Sequence, residues 1–152
     1  MCCAVSVTNT LPLRRDMDEQ THGVVRHDVA ELASRPWYSH VVVANGFAFV
    51  SGMLGVAPNS GELVPGGISA EARQALSNVR LVLSHVGASL EDVVRVDVYL
   101  ADLADVDAIN QEFMAAFGAA LPARTAVQVA RLAFGGRAEL TCVAVVRDGQ
   151  VR

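Results

Sequence analysis

The sequence predicts an α+β fold in which a mixed six-stranded sheet carries two helices on one face. Three observations predict this class: an Asn-Gly pair between two strand-like apolar runs, two segments with helical periodicity, and a strand-like run after each helix. The segments follow the order β-β-β-α-β-α-β-β. Strand–helix–strand crossovers of one hand place both helices on the same face of the sheet.

The strands are apolar runs bounded by turn residues. They are predicted at Val24–Ala30, Val41–Ala44, Phe47–Gly52, Val93–Leu100, Ala126–Ala130 and Ala138–Val146. Asn45-Gly46 joins the second strand to the third, since this pair favours a tight hairpin turn. The segment Leu54–Ile68 is rich in Gly and Pro, so we expect a loop there.

Two amphipathic segments are predicted to be helices. The first covers Ser69–Val86, where apolar residues recur every three or four positions. Ser69 is expected to cap its N-terminus, and Gly87 its C-terminus. The second helix opens at Asp102–Asp105 and ends at Gly118.

Composition limits the classes of protein to consider. The chain has 152 residues, of which 52% are hydrophobic and 18% charged, so one well-packed domain is expected. No apolar run reaches the ~18–20 residues of a membrane-spanning helix, and no secretory pattern is visible in Met1–Leu13. The net charge of −4 argues against a nucleic-acid-binding surface. Three cysteines do not make a disulfide framework, which favours the cytoplasm.

Residues 1–22 differ from the rest of the chain because they show no sustained periodicity. We interpret them as an extension, partly disordered or packed on a neighbour, and residues 23–152 as a single domain. Cys2 and Cys3 are free thiols of this tail in the plainer interpretation, and metal-binding or oxidisable residues in the other. The sheet face opposite the helices is rich in Val and Ala, so a homo-oligomer that covers it is expected.

The sequence carries no nucleotide-binding loop and no metal-binding cluster. The glycine-rich stretches Val64–Ile68 and Phe134–Arg137 match neither phosphate-binding pattern. The histidines lack the spacing of metal ligands; they are His22, His27, His40 and His85.

A few polar residues interrupt apolar surroundings and are candidates for chemistry. Arg124 stands at the mouth of an apolar strand, where its planar guanidinium suits a ligand carboxylate; a surface arginine or a pair with a nearby acid is the plainer interpretation. Glu139 is either a general base that orients water or a solvated strand residue. Tyr38 either closes a pocket or packs at an interface. Asn110 is a weaker candidate, because an exposed helical residue explains it equally well.

Several blocks, in order, carry a family resemblance. They are Pro36–His40, Phe49–Gly52, Asn59–Val64, Arg73–Val94, Ile109–Phe113, Pro122–Thr125 and Ala138–Leu140. Together they resemble the RidA/YjgF family of enamine/imine deaminases, over about four fifths of the chain. The Pro-Ala-Arg-Thr block at Pro122–Thr125 is the most specific of them.

The resemblance implies a chorismate-mutase-like fold and a homotrimer whose sheets form a central barrel, with active sites in the clefts between subunits. It implies hydrolysis of small 2-imino acids, such as 2-iminopropionate and 2-iminobutyrate, to 2-oxo acids and ammonia. The chemistry that it implies needs no metal or cofactor. The acidic balance and the lack of a long apolar run give no reason to expect a nucleic-acid or membrane partner. By position, Arg124 grips the substrate carboxylate, Glu139 holds the hydrolytic water and Tyr38 contributes from its loop. Residues implied to line or support the cleft are Ser51, Gly52, Asn110 and Ala126.

The chain also departs from the family pattern, at Arg35, Trp37, His40, Met53 and Ala126. The departures leave two alternatives open. One is an enzyme specialised for a pathway intermediate, such as an aminomuconate-like acid or a natural-product imine. The other is a non-catalytic trimer that binds carboxylates or regulates a partner.

Overall fold

The structure is a computed structural model that describes residues 23–58 and 60–146. Its elements are β1 (Val24–His27), β2 (Val41–Ala44), β3 (Phe47–Leu54), α1 (Gly67–His85), β4 (Val93–Leu100), α2 (Val106–Phe117), β5 (Ala123–Gln128) and β6 (Ala138–Val145). The predicted extension at residues 1–22, with Cys2 and Cys3, lies outside the described residues, as does Asn59.

The strands form one mixed six-stranded sheet in the order β1-β2-β3-β6-β4-β5. Strands β4 and β5 are parallel, and every other neighbouring pair is antiparallel. This arrangement confirms the predicted fold class. The parallel pair is the one joined through α2, as a crossover connection requires.

Both helices pack on one face of this sheet. The buried residues of α1 recur at helical spacing and include Ala75, Val79 and Leu83, each at most 2% exposed. They meet Val98 and Leu140, which are equally buried on the sheet. Burying each such Val or Leu contributes about 1.5–3 kcal/mol to folding, so this layer dominates the stability of the fold.

The capping residues of α1 agree with the prediction at the C-terminus but not at the N-terminus. The predicted cap at Ser69 is wrong: the helix begins at Gly67, and Gly66 occupies the capping position with a φ of 114°. Glycine reaches this left-handed backbone without strain, which lets the helix start before Ser69. Gly87 is confirmed at the other end, where its φ of 72° allows the Ala88 N–H to donate to the Leu83 carbonyl at 2.9 Å.

Four strands and α2 have different bounds from those predicted; the smallest difference is in β6, which ends at Val145 and not at Val146. Strand β1 stops at His27, β3 continues to Leu54, and β5 begins at Ala123, so that Arg124 lies inside a strand. Helix α2 begins at Val106 after a short 3₁₀ turn. In the described part of the chain, no helix has the length and apolar character needed to cross a bilayer.

The sheet face away from the helices is exposed and apolar, as predicted. Its large side chains include Phe47, Phe49 and Val145, which are 41%, 46% and 37% exposed. Phe47 pairs with Val145, and Phe49 pairs with Val143, so the patch is continuous across β3 and β6. We call this surface the open face.

Cys142 lies on the helix side of β6, between β3 and β4. It is a free, buried thiol, and burial raises its pKa to about 12. The thiol is therefore protonated at neutral pH.

Candidate active site

A cavity of about 560 Å³ opens where β3 ends, beneath the loop that joins β1 to β2. The predicted site residues that line it are Tyr38, Ser51, Gly52 and Glu139. Four of the five residues that depart from the family pattern line the same cavity: Arg35, Trp37, His40 and Met53. We call it the cleft.

A β-bulge shapes the floor of the cleft. Val50 pairs with Cys142 and Met53 pairs with Leu140, so two residues of β3 face a single residue of β6. Those two residues are Ser51 and Gly52. A bulge of this kind redirects side chains and bends its strand. The bulge thus places two predicted site residues at one point of the cleft.

Glycine at position 52 makes room for the Glu139 side chain. A Cβ atom at Gly52 would lie 2.8 Å from Glu139 Cδ and closer still to Glu139 Oε1. The carboxyl group of Glu139 therefore lies directly over the Gly52 backbone. Any larger residue at position 52 would displace that carboxyl group.

The Glu139 carboxyl group is half-buried, and the loss of solvent raises its pKa. It forms no hydrogen bond or ion pair with a protein group among residues 23–58 and 60–146. A carboxylate in this setting binds a proton more readily than one in water. It is therefore suited to accept a proton from a water molecule bound in the cleft.

Hydrogen bonds fix the loop above the cleft. The Ser51 hydroxyl donates to the Ser39 carbonyl at 2.6 Å, and the Ser51 N–H donates to the His40 carbonyl at 3.0 Å. The Tyr38 hydroxyl donates to the Ala33 carbonyl at 3.3 Å. Both hydroxyl oxygens keep lone pairs that can accept further hydrogen bonds.

His40 makes a buried hydrogen bond to the backbone that the sequence motifs did not predict. Its ring is 2% exposed, and Nδ1 accepts a hydrogen bond from the Val29 N–H at 3.0 Å. Asp28 Oδ1 is 3.6 Å from the same nitrogen, which is too far for a hydrogen bond. The only sequence feature that drew attention to His40 was its departure from the family pattern, where a glutamine is usual.

Arg124 lies outside the cleft, on the helix side of β5. Its Nη2 donates to Asn110 Oδ1 at 2.6 Å, and its Cζ lies 4.9 Å from the centre of the Phe113 ring. It makes no ion pair with a carboxylate in the described part of the chain. Ala126 follows on the same side of the strand, packed against the core. These contacts orient a guanidinium that retains free donors.

The two predicted catalytic groups do not meet within one chain. Arg124 pairs with Val96, a buried residue on the helix side of β4. Glu139 pairs with Tyr99, three residues further along β4 and on the open face. The single chain therefore holds the two candidate groups on opposite faces of the sheet. Among described residues, there is also no cluster of three or more metal-binding side chains.

Comparisons with known proteins agree with this architecture. The endoribonuclease L-PSP family matches residues 29–146. A goat (Capra hircus) protein named 2-iminobutanoate/2-iminopropanoate deaminase is 44% identical over 108 residues, which are 71% of this chain and 79% of that protein.

Two solved structures are similar over most of their length. The crystal structure of RidA from the Antarctic bacterium Psychrobacter sp. has 35% identity and a TM-score of 0.75, covering 80% of this chain and 98% of the other. The crystal structure of E. coli TdcF with bound serine has 29% identity and a TM-score of 0.73, covering 80% and 97%. The chain thus belongs to the endoribonuclease L-PSP family, the RidA/YjgF family that its sequence motifs resemble.

Proposed function

We propose that this protein hydrolyses 2-imino acids to 2-oxo acids and ammonia, at sites that two subunits build together. One observation carries the proposal: a guanidinium that has no acidic partner among the described residues and a desolvated carboxyl group lie on opposite faces of one sheet. Each is half of what the reaction needs. The goat relative is named as a deaminase of 2-iminobutanoate and 2-iminopropanoate, which supports the same reaction.

Arg124 binds the substrate carboxylate. Its free N–H groups match the two oxygens of a carboxylate in a planar, bidentate arrangement. Asn110 and Phe113 hold the guanidinium in place before substrate arrives, which lowers the entropy lost on binding. The serine bound to the E. coli relative is itself a small molecule with a carboxylate, in keeping with this role.

Glu139 directs water at the imine carbon. The water oxygen bonds to C2 of the imino acid, and Glu139 accepts the proton that the water releases. That proton passes to the nitrogen, which leaves a hydroxyl group and an amino group on C2. The proton of the hydroxyl group then moves to the amino nitrogen through Glu139, the C–N bond breaks, and ammonia leaves as the C2 carbonyl forms. The 2-oxo acid keeps the carboxylate held by Arg124. The raised pKa of Glu139 helps it both to accept and to return the proton.

The open face supports assembly into a homotrimer. An exposed apolar sheet surface that includes Phe47 and Phe49 is stabilised when a second copy covers it. Strand β5 is an edge strand, so Arg124 can reach the cleft of a neighbouring subunit. A reducing compartment such as the cytoplasm fits the free thiol of Cys142.

The test combines two inactive variants. Arg124→Ala and Glu139→Gln, each alone, are expected to lose about a hundredfold or more of kcat/KM, because each removes a charged group that contacts the substrate or its water. The assay is release of 2-oxo acid from 2-iminobutyrate generated by a dehydratase.

Refolding the two variants together at equal amounts should restore activity. A site between an intact Arg124 and an intact Glu139 forms at about one quarter of the interfaces of a randomly mixed trimer. Each variant refolded alone is the control. Mixed oligomers that remain inactive would show that the site is not shared between subunits.

A further inference from the structure

We propose that the preferred substrate of this chain is a 2-imino acid with a large aromatic side chain, an inference that rests on the proposed deaminase function. The observation is an aromatic wall in the cleft that carries Glu139. Three aromatic residues, Trp37, Tyr38 and Phe134, line this cleft.

The cleft is larger than a three- or four-carbon imino acid requires. Its volume of about 560 Å³ lies in the range of about 300–1,000 Å³ that accommodates drug-sized ligands. A small imino acid bound at Glu139 would leave water against the remaining wall. A side chain the size of a benzyl group would displace that water.

The aromatic residues are concentrated here. Aromatic residues are only 5% of the sequence, yet its single tryptophan, one of its two tyrosines and one of its five phenylalanines line this cleft. Trp37 is 76% exposed and Phe134 is 67% exposed, so neither ring is fully packed in the core of this chain. Aliphatic neighbours, including Leu32 and Leu54, continue the apolar lining.

Phe134 is held in place by an unusual backbone. Its φ of 59° and ψ of 9° lie in the left-handed region, which bulky residues rarely adopt. Glycine would fit this conformation without strain, and Gly135 follows with a φ of 74°. Strain of this kind is retained where the side chain has a function. At this position, the backbone conformation places the Phe134 ring in the lining of the cleft, and we take this to be its function.

The chemistry of recognition follows from these contacts. The substrate carboxylate pairs with Arg124 of a neighbouring subunit, and its imine carbon faces the water at Glu139. An aromatic side chain then stacks on Trp37 or Phe134, edge to face or offset. The contact adds binding without touching the reacting atoms, so it lowers KM more than it raises kcat.

The experiment compares two imines made in the same way. A D-amino-acid oxidase with catalase generates 2-imino-3-phenylpropanoate from D-phenylalanine and 2-iminopropanoate from D-alanine. We expect kcat/KM of the wild type to be about tenfold higher for the phenyl imine. Phe134→Gly, which suits the local backbone, should abolish that preference by raising KM for the phenyl imine far more than KM for 2-iminopropanoate. Leu103→Ala, an exposed apolar residue outside the cleft, is the control.

The outcomes separate this inference from the proposed function. Equal or faster hydrolysis of 2-iminopropanoate by the wild type would overturn the aromatic preference and leave the deaminase function standing. Hydrolysis of neither imine would overturn the deaminase function as well. A Phe134→Gly protein that loses its assembly state in analytical ultracentrifugation would mean that the ring is a subunit contact, which also overturns the inference.

Discussion

Glu139 illustrates how one residue acquires chemistry from its surroundings. The Gly52 backbone lies directly against its carboxyl group, and the half-buried position raises its pKa. A glutamate on an exposed strand would lack both features. The environment, rather than the residue type alone, makes this carboxyl group suitable for moving a proton.

The raised pKa of Glu139 predicts a pH-dependent difference in stability. Between the ordinary glutamate pKa of about 4.3 and the raised value, the folded state binds more protons than the unfolded state. Stability therefore falls as the pH rises through this window. Glu139→Gln removes the charge, so the variant should be more stable than the wild type at neutral pH, and this advantage should vanish at acid pH.

Urea denaturation at a series of pH values and one protein concentration measures this difference. The exposed residue Glu62, changed to Gln, is the control. A Glu139→Gln protein that is less stable than the wild type at neutral pH would contradict the assignment of Glu139 as a desolvated, unpaired carboxyl group.

At the scale of elements, α1 holds the end of β3 where the cleft forms. Asn78, which is 3% exposed, donates from Nδ2 to the carbonyls of Leu54 at 3.0 Å and Val56 at 2.9 Å. Gln74 donates in turn to Asn78 Oδ1 at 2.9 Å. The side chain of Asn78 thus satisfies two backbone carbonyls at the end of β3.

We expect Asn78→Ala to lower the free energy of unfolding by about 2 kcal/mol, because two carbonyls lose their donor in a largely buried place. Gln74→Ala is the matched control and should cost less than about 1 kcal/mol, since it removes one bond to Asn78. Equal losses for the two variants, measured by urea denaturation, would contradict this role of Asn78.

Elements were more predictable than their ends. The hairpin around Asn45-Gly46 and the whole of β4 match the structure, because turn chemistry and apolar runs are local signals. The start of α1 depends on a positive φ at Gly66, and the start of β5 depends on pairing with β4, so neither is visible locally. Asn78 had a signal, a polar residue within an apolar helical stripe, that pointed to a buried contact.

At the scale of the whole molecule, we propose that chains associate through the open face. Phe49→Asp places a charge at the centre of this face, where a covering subunit would have to desolvate it. We expect the variant to sediment as a smaller species than the wild type and to lose imine hydrolysis. Leu103→Asp, at a residue with the same 46% exposure but outside the open face, should change neither property. Unchanged sedimentation of Phe49→Asp would contradict assembly through this face.

The candidate site was predictable only in part. Sequence motifs indicated Arg124 and Glu139, and local geometry supports both as functional groups. Arg124 and Glu139 occupy opposite faces of the sheet because of the register of β4 with β5 and β6. This register is set by contacts between residues far apart in the sequence, so local patterns do not reveal it. The aromatic wall depends on the backbone conformation of Phe134, which no local pattern of residues indicated.

The buried thiol of Cys142 can be used as a built-in chemical probe for local opening of the sheet. A protonated thiol in the centre of the sheet reacts with an alkylating reagent only when β6 separates from β3 or β4. After Cys2 and Cys3 are replaced by serine, the rate of alkylation at Cys142 measures how often the sheet opens locally. Substrate analogues that bridge two subunits should reduce this opening, because they bind the closed state. Binding of such an analogue would therefore be measured as slower alkylation of Cys142.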